Sequence, residues 1–424
     1  MIKFLLKGIL NDKGRSLLPI IVVTLGSMLT IFLHSWLTGV MGESIELSSN
    51  YNTGDVRVMT RAYAADKEQF PNDLAILDSP LLVEELKKLE PSVEWAERIR
   101  FGALADFPDS LGETRGQGAV VGWAVDLLGE GSKEPQRFNL QESLERGRLP
   151  EKGGECLLSE DLAARYGVSP GEQFTLFGTT MEGGFSFTNF IVSGTIRFGS
   201  PALDRGAVIA DIEDIRAAFD MDGASGEILG FLPYDYFNEE EAEAVKGRLN
   251  AEWASDEDEF APVAQSLRDV PGMADFLAYS NYIGTIMIFL FVSAMAIVLW
   301  NAGLLGGLRR YTEFGVRIAL GEDKGHIYRS LLWEALMTGV IGSVIGTALG
   351  VTVVYALNSH GIDISGMMKN ATMLMPSVMR PAVTTVMWYI GFIPGVFSML
   401  LGNALAGIGI YKRETARLFN ELEV

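Results

Sequence analysis

Four long stretches of the chain contain no charged residue. They cover residues 17–41, 276–308, 335–362 and 381–411, and the shortest has 25 positions. A helix needs about 20 consecutive apolar residues to cross the hydrocarbon core of a bilayer. The pattern therefore predicts four transmembrane helices, which we place at 17–41, 276–308, 335–358 and 381–411.

The long segment between the first two stretches, residues 42–275, has a different pattern. Runs of β-branched and aromatic residues, typical of strands, occur at 55–59, 118–126 and 173–177. Runs with helical spacing, bounded by Pro, Ser or Gly, occur at 79–91, 159–167, 211–219 and 238–253. The predicted fold class is thus a membrane protein with four transmembrane α-helices, arranged 1+3, and a large extracytoplasmic α+β domain of two subdomains between the first and the second.

Residues 174–196 predict a β-hairpin within this domain, with its tip at Met181, Glu182, Gly183 and Gly184. A tip of this kind is most often an ordinary connecting turn. A projecting hairpin can also be the docking element for a partner protein, so both interpretations stay open.

The distribution of Lys and Arg over the short connections predicts the orientation in the membrane. Basic residues number four in 1–16, five in 309–334 and three in 412–424, whereas the loop 359–380 has two. We therefore expect a multi-pass membrane protein. Both termini and 309–334 lie in the cytoplasm in this prediction, and 42–275 lies outside.

The first 16 residues place Lys3 and Lys7 four positions apart among apolar residues. A short helix with this arrangement suits the cytoplasmic interface of the bilayer. A plain flanking tail is the alternative, and the pattern favours neither.

Charge is distributed unevenly along the chain, whose formal net charge is −20 and whose mean hydropathy is +0.21. Residues 42–280 hold 20 basic and 45 acidic side chains, whereas the remainder holds 14 basic and 9 acidic ones. No basic patch of the needed size is present, so we expect no nucleic-acid partner. Cys156 is the only cysteine, so no disulfide can form within the chain.

The usual catalytic patterns are missing from the sequence. There is no GxxxxGK[ST] phosphate loop and no GxSxG motif. The three histidines, His34, His326 and His360, are far apart. The span centres hold no Asp, Glu, Lys or Arg, the groups that proton-driven carriers use. We therefore expect no catalytic residue, no metal site and no cofactor bound by this chain.

Residues 309–334 form a charged segment between two apolar spans. A first helix is predicted from the spacing of Tyr311, Phe314, Ile318 and Ala319. Gly321 is placed to end that helix, and acidic residues open a second helix that leads into the third span. Large apolar side chains are retained at this water-exposed surface, namely Phe314, Val316, Ile318 and Leu320. Their retention favours a protein partner over a generic membrane-proximal loop.

Three glycines of the third span, Gly342, Gly346 and Gly350, recur every four residues. Small residues at this spacing let two helices approach closely in a bilayer. The stripe suits either the seam of a dimer or packing against another span of the same subunit.

Two motifs together resemble a known family. The stretch "EFGVRIALGEDKGHIYRSLLWEALMTGVIGSVIGTALG" (313–350) resembles the signature of the MacB/LolE/FtsX-type ABC transporter permeases. The stretch "GRLPEKGGECLLSEDLAARYGVSPGEQFTL" (147–176) is similar to the core motif of their periplasmic domain. The 1+3 arrangement of spans agrees with that family as well, and the resemblance implies the bacterial inner membrane as the location.

The resemblance implies partners that the chain itself does not contain. Permeases of this type form homo- or heterodimers in the lipid bilayer and bind two copies of a cytoplasmic ATPase, which holds ATP and Mg²⁺. The segment after the second span rests on that ATPase, and the outer domain responds by rigid-body movement, called mechanotransmission. By this resemblance the ATPase-coupling role falls on Glu313, Phe314, Gly315, Arg317, Ala319, Leu320 and Gly321.

Chain length and the "GIDISG" stretch (361–366) are similar to the lipoprotein-releasing branch, known as LolC/LolE. In one subunit of that branch a hairpin hook docks a periplasmic carrier, but the tip "TTMEGGF" lacks the basic, Pro-containing hook. The leading hypothesis is a permease subunit that extracts or expels a hydrophobic or amphipathic substrate such as a lipoprotein. Alternatives are a macrolide or peptide efflux permease, an FtsX-type scaffold that activates a cell-wall hydrolase, and a sensor without an ATPase. A carrier or adaptor in the periplasm is a further possible partner.

Overall fold

The computed structural model describes residues 13–109, 111–198, 201–234, 237–256, 258–309, 311–364 and 378–412. Two compact units are present. The helical unit comprises Met1–Met41, Ala278–Ile362 and Met379–Val424. The α/β unit comprises Gly42–Leu277 and Asp363–Val378. The predicted interfacial helix at 1–16 and the C-terminal tail lie almost entirely outside the described residues.

The described helices and strands follow one another in chain order. The helices are α1 (Lys13–Ser48), α2 (Arg61–Asp66), α3 (Ser79–Leu89), α4 (Glu134–Arg137), α5 (Leu140–Ser143), α6 (Glu160–Tyr166), α7 (Pro201–Asp204), α8 (Ile212–Phe219), α9 (Glu239–Glu252), α10 (Met273–Arg309), α11 (Tyr311–Ala319), α12 (Lys324–His360), α13 (Met387–Ile390) and α14 (Phe392–Lys412). The strands are β1 (Val56–Thr60), β2 (Glu94–Pro108), β3 (Thr114–Val125), β4 (Leu144–Gly147), β5 (Glu155–Ser159), β6 (Gln173–Thr179), β7 (Phe185–Ile196), β8 (Ala207–Asp211), β9 (Glu227–Phe231), β10 (Pro262–Ser266), β11 (Ile362–Asp363) and β12 (Val378–Met379).

Within the described residues, four helical stretches are long and apolar enough to cross a membrane, namely Leu17–Thr53, Met273–Ala302, Lys324–His360 and Met387–Gly407. With the α/β unit, they confirm the predicted fold class. The boundaries differ from the prediction at several places. α1 continues beyond 41 to Ser48, and α12 begins at Lys324, so the second half of the charged segment and the third span are one helix.

The predicted start of the fourth span at residue 381 is wrong, because the helix begins at Met387 and is interrupted at Gly391. The preceding run, Val383–Val386, consists of β-branched residues, which lose side-chain freedom in a helix. The chain there is held instead by the Ala382 N–H, which donates to the Ser35 carbonyl oxygen of α1 over 2.7 Å. A run without charged residues therefore predicts an apolar segment, but it does not predict the residue at which the helix begins.

The α/β unit is built on one ten-stranded sheet in the order β10-β1-β9-β2-β3-β8-β5-β7-β4, with β6 pairing β2 and β7. The β3–β8 and β5–β7 pairs are parallel, and the others are antiparallel. β2 has 15 residues and pairs first with β9 and then with β3 and β6. The two subdomains expected from the sequence therefore share a single sheet through this strand.

Separate clusters of buried side chains stabilise the two ends of this sheet. One cluster surrounds Phe101, Phe174 and Phe190 of β2, β6 and β7. Another joins α3 and α9, through Leu86 and Leu249, to β1, β9 and β10. Burial of side chains of this size contributes about 1.5–3 kcal/mol each. The apolar periodicity that predicted α3 and α9 therefore reflects their contact with the sheet.

Candidate coupling segment

α11 and α12 are joined by a short turn whose backbone is fully specified. The Leu320 N–H donates to the Val316 carbonyl oxygen over 3.0 Å, and the Gly321 N–H donates to the Ile318 carbonyl oxygen over 2.9 Å. Gly321 has a φ of 93°, in the left-handed region that favours glycine. The helix, glycine turn and second helix predicted from the sequence are confirmed.

A two-pronged ion pair closes the turn. Arg317 Nε and Nη2 donate to the two carboxylate oxygens of Glu322, each over 2.6 Å. The Arg317 guanidinium holds the pKa of the Glu322 carboxyl below its usual value, and the pair raises the pKa of Arg317. His326 Nε2 lies 3.6 Å from Glu322 Oε1. The fork geometry fixes the angle between α11 and the start of α12 more firmly than a single contact would.

The first turns of α12 are capped and packed. Asp323 is its N-cap and accepts from the Gly325 N–H over 3.1 Å. Ile327 is buried, and Tyr328 lies against α14, where its Oη donates to the Ala404 carbonyl oxygen over 3.4 Å. A β-carbon at Gly407 would lie 2.6 Å from the Tyr328 ring, so glycine makes this approach possible. α12 is therefore held against α14 at the same end at which it meets α11.

The exposed face of α11 carries an apolar pair. Val316 is 59% exposed and Leu320 is 83% exposed, and the two residues are four positions apart on one face. Glu313 and Ala319 are also exposed, and Arg317 is half-buried. The predicted stripe of Tyr311, Phe314, Ile318 and Ala319 is only partly described. Of it, Ile318 is half-buried and Ala319 is exposed.

The predicted coupling residues all fall on α11 and its turn. Leu320 and Gly321 are exposed, Gly315 is buried, and Phe314 is helical with a side chain outside the described part. Sequence reasoning missed Glu322 as the partner of Arg317 and Tyr328 as the contact to α14. The five-residue spacing of Arg317 and Glu322 across a glycine turn was the available signal for the first. Nothing in the local sequence pointed to the second.

The predicted packing glycines line the contact between α12 and α1. β-carbons at Gly342 and Gly346 would lie 2.7 Å from Val23 and 2.6 Å from the Thr24 carbonyl oxygen, respectively. Gly350 lies against Ile31 in the same way. Thr24 Oγ1 also donates to the Gly342 carbonyl oxygen over 3.3 Å. The stripe therefore packs within one chain, which is the second of the two alternatives.

The hairpin is confirmed as β6, a five-residue connection and β7, closed by the Thr180 N–H, which donates to the Gly184 carbonyl oxygen over 2.8 Å. The Met181 N–H donates to the Phe219 carbonyl oxygen, and the Met181 side chain packs against the core. Gly183 takes a φ of 82°, and Glu182 is exposed. These contacts favour a connecting turn at Met181. Phe185 and Phe187, near the start of β7, are exposed aromatic residues.

Comparison with known proteins gives a family match within the helical unit. Residues 285–415 match the FtsX-like permease C-terminal family. None of the curated proteins matches the chain. Among solved structures, the chain is similar to the periplasmic region of MacB from Actinobacillus actinomycetemcomitans. The identity is 8%, the match covers 55% of this chain and 93% of that one, and the TM-score is 0.33.

Residues 285–415 of the helical unit are therefore an FtsX-like permease domain. The resemblance to MacB/LolE/FtsX-type ABC permeases predicted from the sequence is confirmed at the level of this family. The matched range contains α11, its turn and the glycine stripe, so the candidate coupling segment lies inside the family domain.

Proposed function

We propose that the chain is the membrane subunit of an ABC transporter and that α11 with its turn is the contact for a separate cytoplasmic ATPase. The observation that carries this proposal is the exposed pair Val316 and Leu320. The pair lies on α11 and the turn that follows it, residues 311–323, which we call the elbow. The two hydrogen bonds between Arg317 and Glu322 close this turn. Exposed apolar side chains on a rigid helix suit a protein contact, because burying them in an interface stabilises the complex.

The geometry of α12 suits a rigid helix that transmits movement across the membrane. This helix runs without interruption over the 37 residues from Lys324 to His360. At 1.5 Å per residue it is about 55 Å long, enough to cross a bilayer. A push on α11 is thus applied at the end of an unbroken helix, which converts ATP-driven movement at one membrane face into movement at the other.

The proposed substrate is hydrophobic or amphipathic, and we name a lipoprotein as its class. The similarity of residues 361–366 to the lipoprotein-releasing branch supports this choice. In this proposal the α/β unit is periplasmic, a second permease subunit completes the dimer, and two ATPase copies bind ATP and Mg²⁺. A periplasmic carrier then receives the released substrate.

The substitution Leu320→Asp tests the proposal. A carboxylate placed in an apolar interface is costly to bury, so we expect retention of the co-purified ATPase to fall at least about tenfold. ATP-dependent release of a fluorescently labelled lipoprotein from proteoliposomes should fall with it. Both quantities are measured on the chain purified from its own membranes together with the ATPase that binds it.

The matched control is Leu111→Asp, since Leu111 of the α/β unit is 84% exposed and Leu320 is 83% exposed. This variant should bind the ATPase and release lipoprotein as the wild type does. If Leu320→Asp retains the ATPase, the contact is elsewhere. If the wild-type chain binds no ATPase, the transporter proposal itself is wrong.

A further inference from the structure

The end of the first long helix has an unusual structure. After Ser48, α1 continues as a π-helical turn, Ser49–Thr53, in which the Gly54 N–H donates to the Ser49 carbonyl oxygen over 2.7 Å. Gly54 has a φ of 59°, and a β-carbon there would lie 2.9 Å from the Gly230 carbonyl oxygen. Both features favour glycine. Single π-helical turns are uncommon and are frequent at functional positions.

Two buried side chains bind carbonyl groups at this helix end, where carbonyls lack helical partners. Arg98 Nη1 donates to the Asn50 carbonyl oxygen over 2.6 Å, and Trp123 Nε1 donates to the Tyr51 carbonyl oxygen over 2.9 Å. The donors belong to the neighbouring strands β2 and β3. We call Asn50, Tyr51, Arg98 and Trp123 the clasp.

Arg98 is held so that it cannot turn away from the clasp. It is 1% exposed, and its Nε donates to Glu134 Oε2 over 2.6 Å. Glu134 in turn pairs with Arg137 over 2.7 Å. Removing one partner of a buried ion pair leaves an uncompensated charge, so the arrangement resists change. The Arg98 guanidinium carbon also lies 4.7 Å from the centre of the Phe138 ring.

The side chain of Tyr51 fastens the same turn from a second direction. Its ring is buried and meets Phe138 edge-on at 4.9 Å, and its Oη donates to the Phe138 carbonyl oxygen over 3.2 Å. The exit from the turn is fixed as well. Asp55 accepts from Ser49 Oγ over 3.0 Å and from the Leu232 N–H over 2.8 Å. The Asn50 and Tyr51 carbonyl groups, the Tyr51 side chain and the Ser49 hydroxyl are thus each held by groups of the α/β unit.

We infer that Arg98 and Trp123 are positioning residues for the transport cycle, which make the end of α1 and the centre of the sheet move as one body. The inference rests on the proposed function. Residues from Gly42 onward belong to the α/β unit, so the clasp ties the last turns of α1 to β2 and β3 inside that unit. A flexible connection would absorb a displacement of α1, whereas packed, hydrogen-bonded groups pass it on.

The test uses the full-length complex with its ATPase in nanodiscs, with Arg98→Met as the first variant. Amide hydrogen exchange of residues 49–55 should become about tenfold faster or more, since a buried charge-assisted hydrogen bond is lost. Spin labels at the exposed positions Leu111 and Tyr279 report the ATP-driven change in their distance. We expect Arg98→Met to abolish that change while ATP hydrolysis stays within about twofold of wild type, because the coupling and not the ATPase is altered.

The matched control is Arg115→Met. Arg115 also pairs with a carboxylate, Glu172, over 2.7 Å and donates to a carbonyl oxygen, that of Gly167, over 2.8 Å, but Gly167 ends the short helix α6 within the α/β unit and not the long helix α1. It should leave the distance change intact. Trp123→Phe removes one N–H and keeps a smaller aromatic ring in place of the indole, so it gives a milder loss should Arg98→Met fail to fold. Arg98→Lys keeps the charge and should recover part of the movement.

The outcomes separate the two proposals. If exchange at 49–55 rises while the ATP-driven distance change persists in Arg98→Met and Trp123→Phe, the clasp is only structural and the inference is overturned. If the wild-type complex shows no ATP-driven change, the proposed function is overturned together with it. Loss of the distance change in the clasp variants alone supports the inference.

Discussion

The contact between Arg148 and Glu155 makes the α/β unit sensitive to acid. Arg148 Nη1 and Nη2 donate to the two Glu155 carboxylate oxygens over 2.8 and 2.6 Å, and the Glu151 N–H donates to one of them over 3.0 Å. The Arg148 fork lowers the pKa of Glu155 to about 2. A carboxyl whose pKa is lower in the folded state stabilises the fold above its unfolded value, and this contribution is lost as the pH falls toward 2.

We therefore expect Glu155→Gln to lower the melting temperature of the full-length protein at pH 7 by about 2–4 °C. From pH 5 to pH 3 the melting temperature of the variant should fall less steeply than that of the wild type, because the titrating group is absent. Thermal scans by near-UV circular dichroism in detergent measure both. Glu182→Gln, at the exposed hairpin tip, should match the wild type at every pH. Parallel curves for Glu155→Gln and wild type would contradict the prediction.

Single residues show where sequence reasoning stops. The glycine at the end of α6, Gly167, was predicted and has a φ of 63°. Ser159, the serine that bounds the same predicted run, precedes α6, yet its side chain makes no capping hydrogen bond. The first depends only on backbone geometry. The second depends on how the buried strand β5 presents its side chains, and Arg98 with Asn50 depends on contacts between residues far apart in the chain.

At the scale of helices, the contact between α1 and α12 depends on the absence of side chains. We expect Gly346→Val to destabilise the helical unit by about 1–3 kcal/mol, because a β-carbon there would lie 2.6 Å from the Thr24 carbonyl oxygen and 2.8 Å from Ser27 Cβ. Denaturation in detergent, followed by far-UV circular dichroism, measures this loss.

Gly284→Val is the control for that substitution. Gly284 lies in the long apolar helix α10, and among the described residues no atom beyond its own stretch of helix lies within 4 Å of where its β-carbon would be. Both substitutions place a β-branched residue in a helix, so their difference isolates the packing cost. Equal losses would show that helix propensity, and not the contact with α1, decides stability here.

The elements themselves were predictable where local signals are strong. The helices expected at 79–91 and 238–253 were found as α3 and α9, and the hairpin expected at 174–196 was found as β6 and β7. Strand order was out of reach, because pairs such as β1 with β10 join segments some 200 residues apart, and no local pattern specifies such pairing. The helix that packs against the glycines of α12 was left open for the same reason, because a glycine stripe predicts close packing but does not identify the partner helix.

For the whole molecule, the predicted orientation is the condition on which the proposed function depends. Cys156 provides a convenient background, because it is the only cysteine, is fully buried and has a thiol whose pKa burial raises. A wild-type chain should thus react little with a membrane-impermeant maleimide, since the thiolate is the reactive form. New cysteines at exposed positions can then be labelled one at a time.

We expect Leu111→Cys to react in intact spheroplasts and Leu320→Cys to react only after the membrane is opened, because the Lys and Arg distribution places the α/β unit outside and the elbow inside. Both residues are more than 80% exposed, so accessibility within the fold does not distinguish them. If Leu320→Cys were labelled in intact spheroplasts, the elbow would lie outside the cytoplasm, where no ATP is available. The transporter proposal would then lose its energy source even if the fold, the turn and the clasp were all as described.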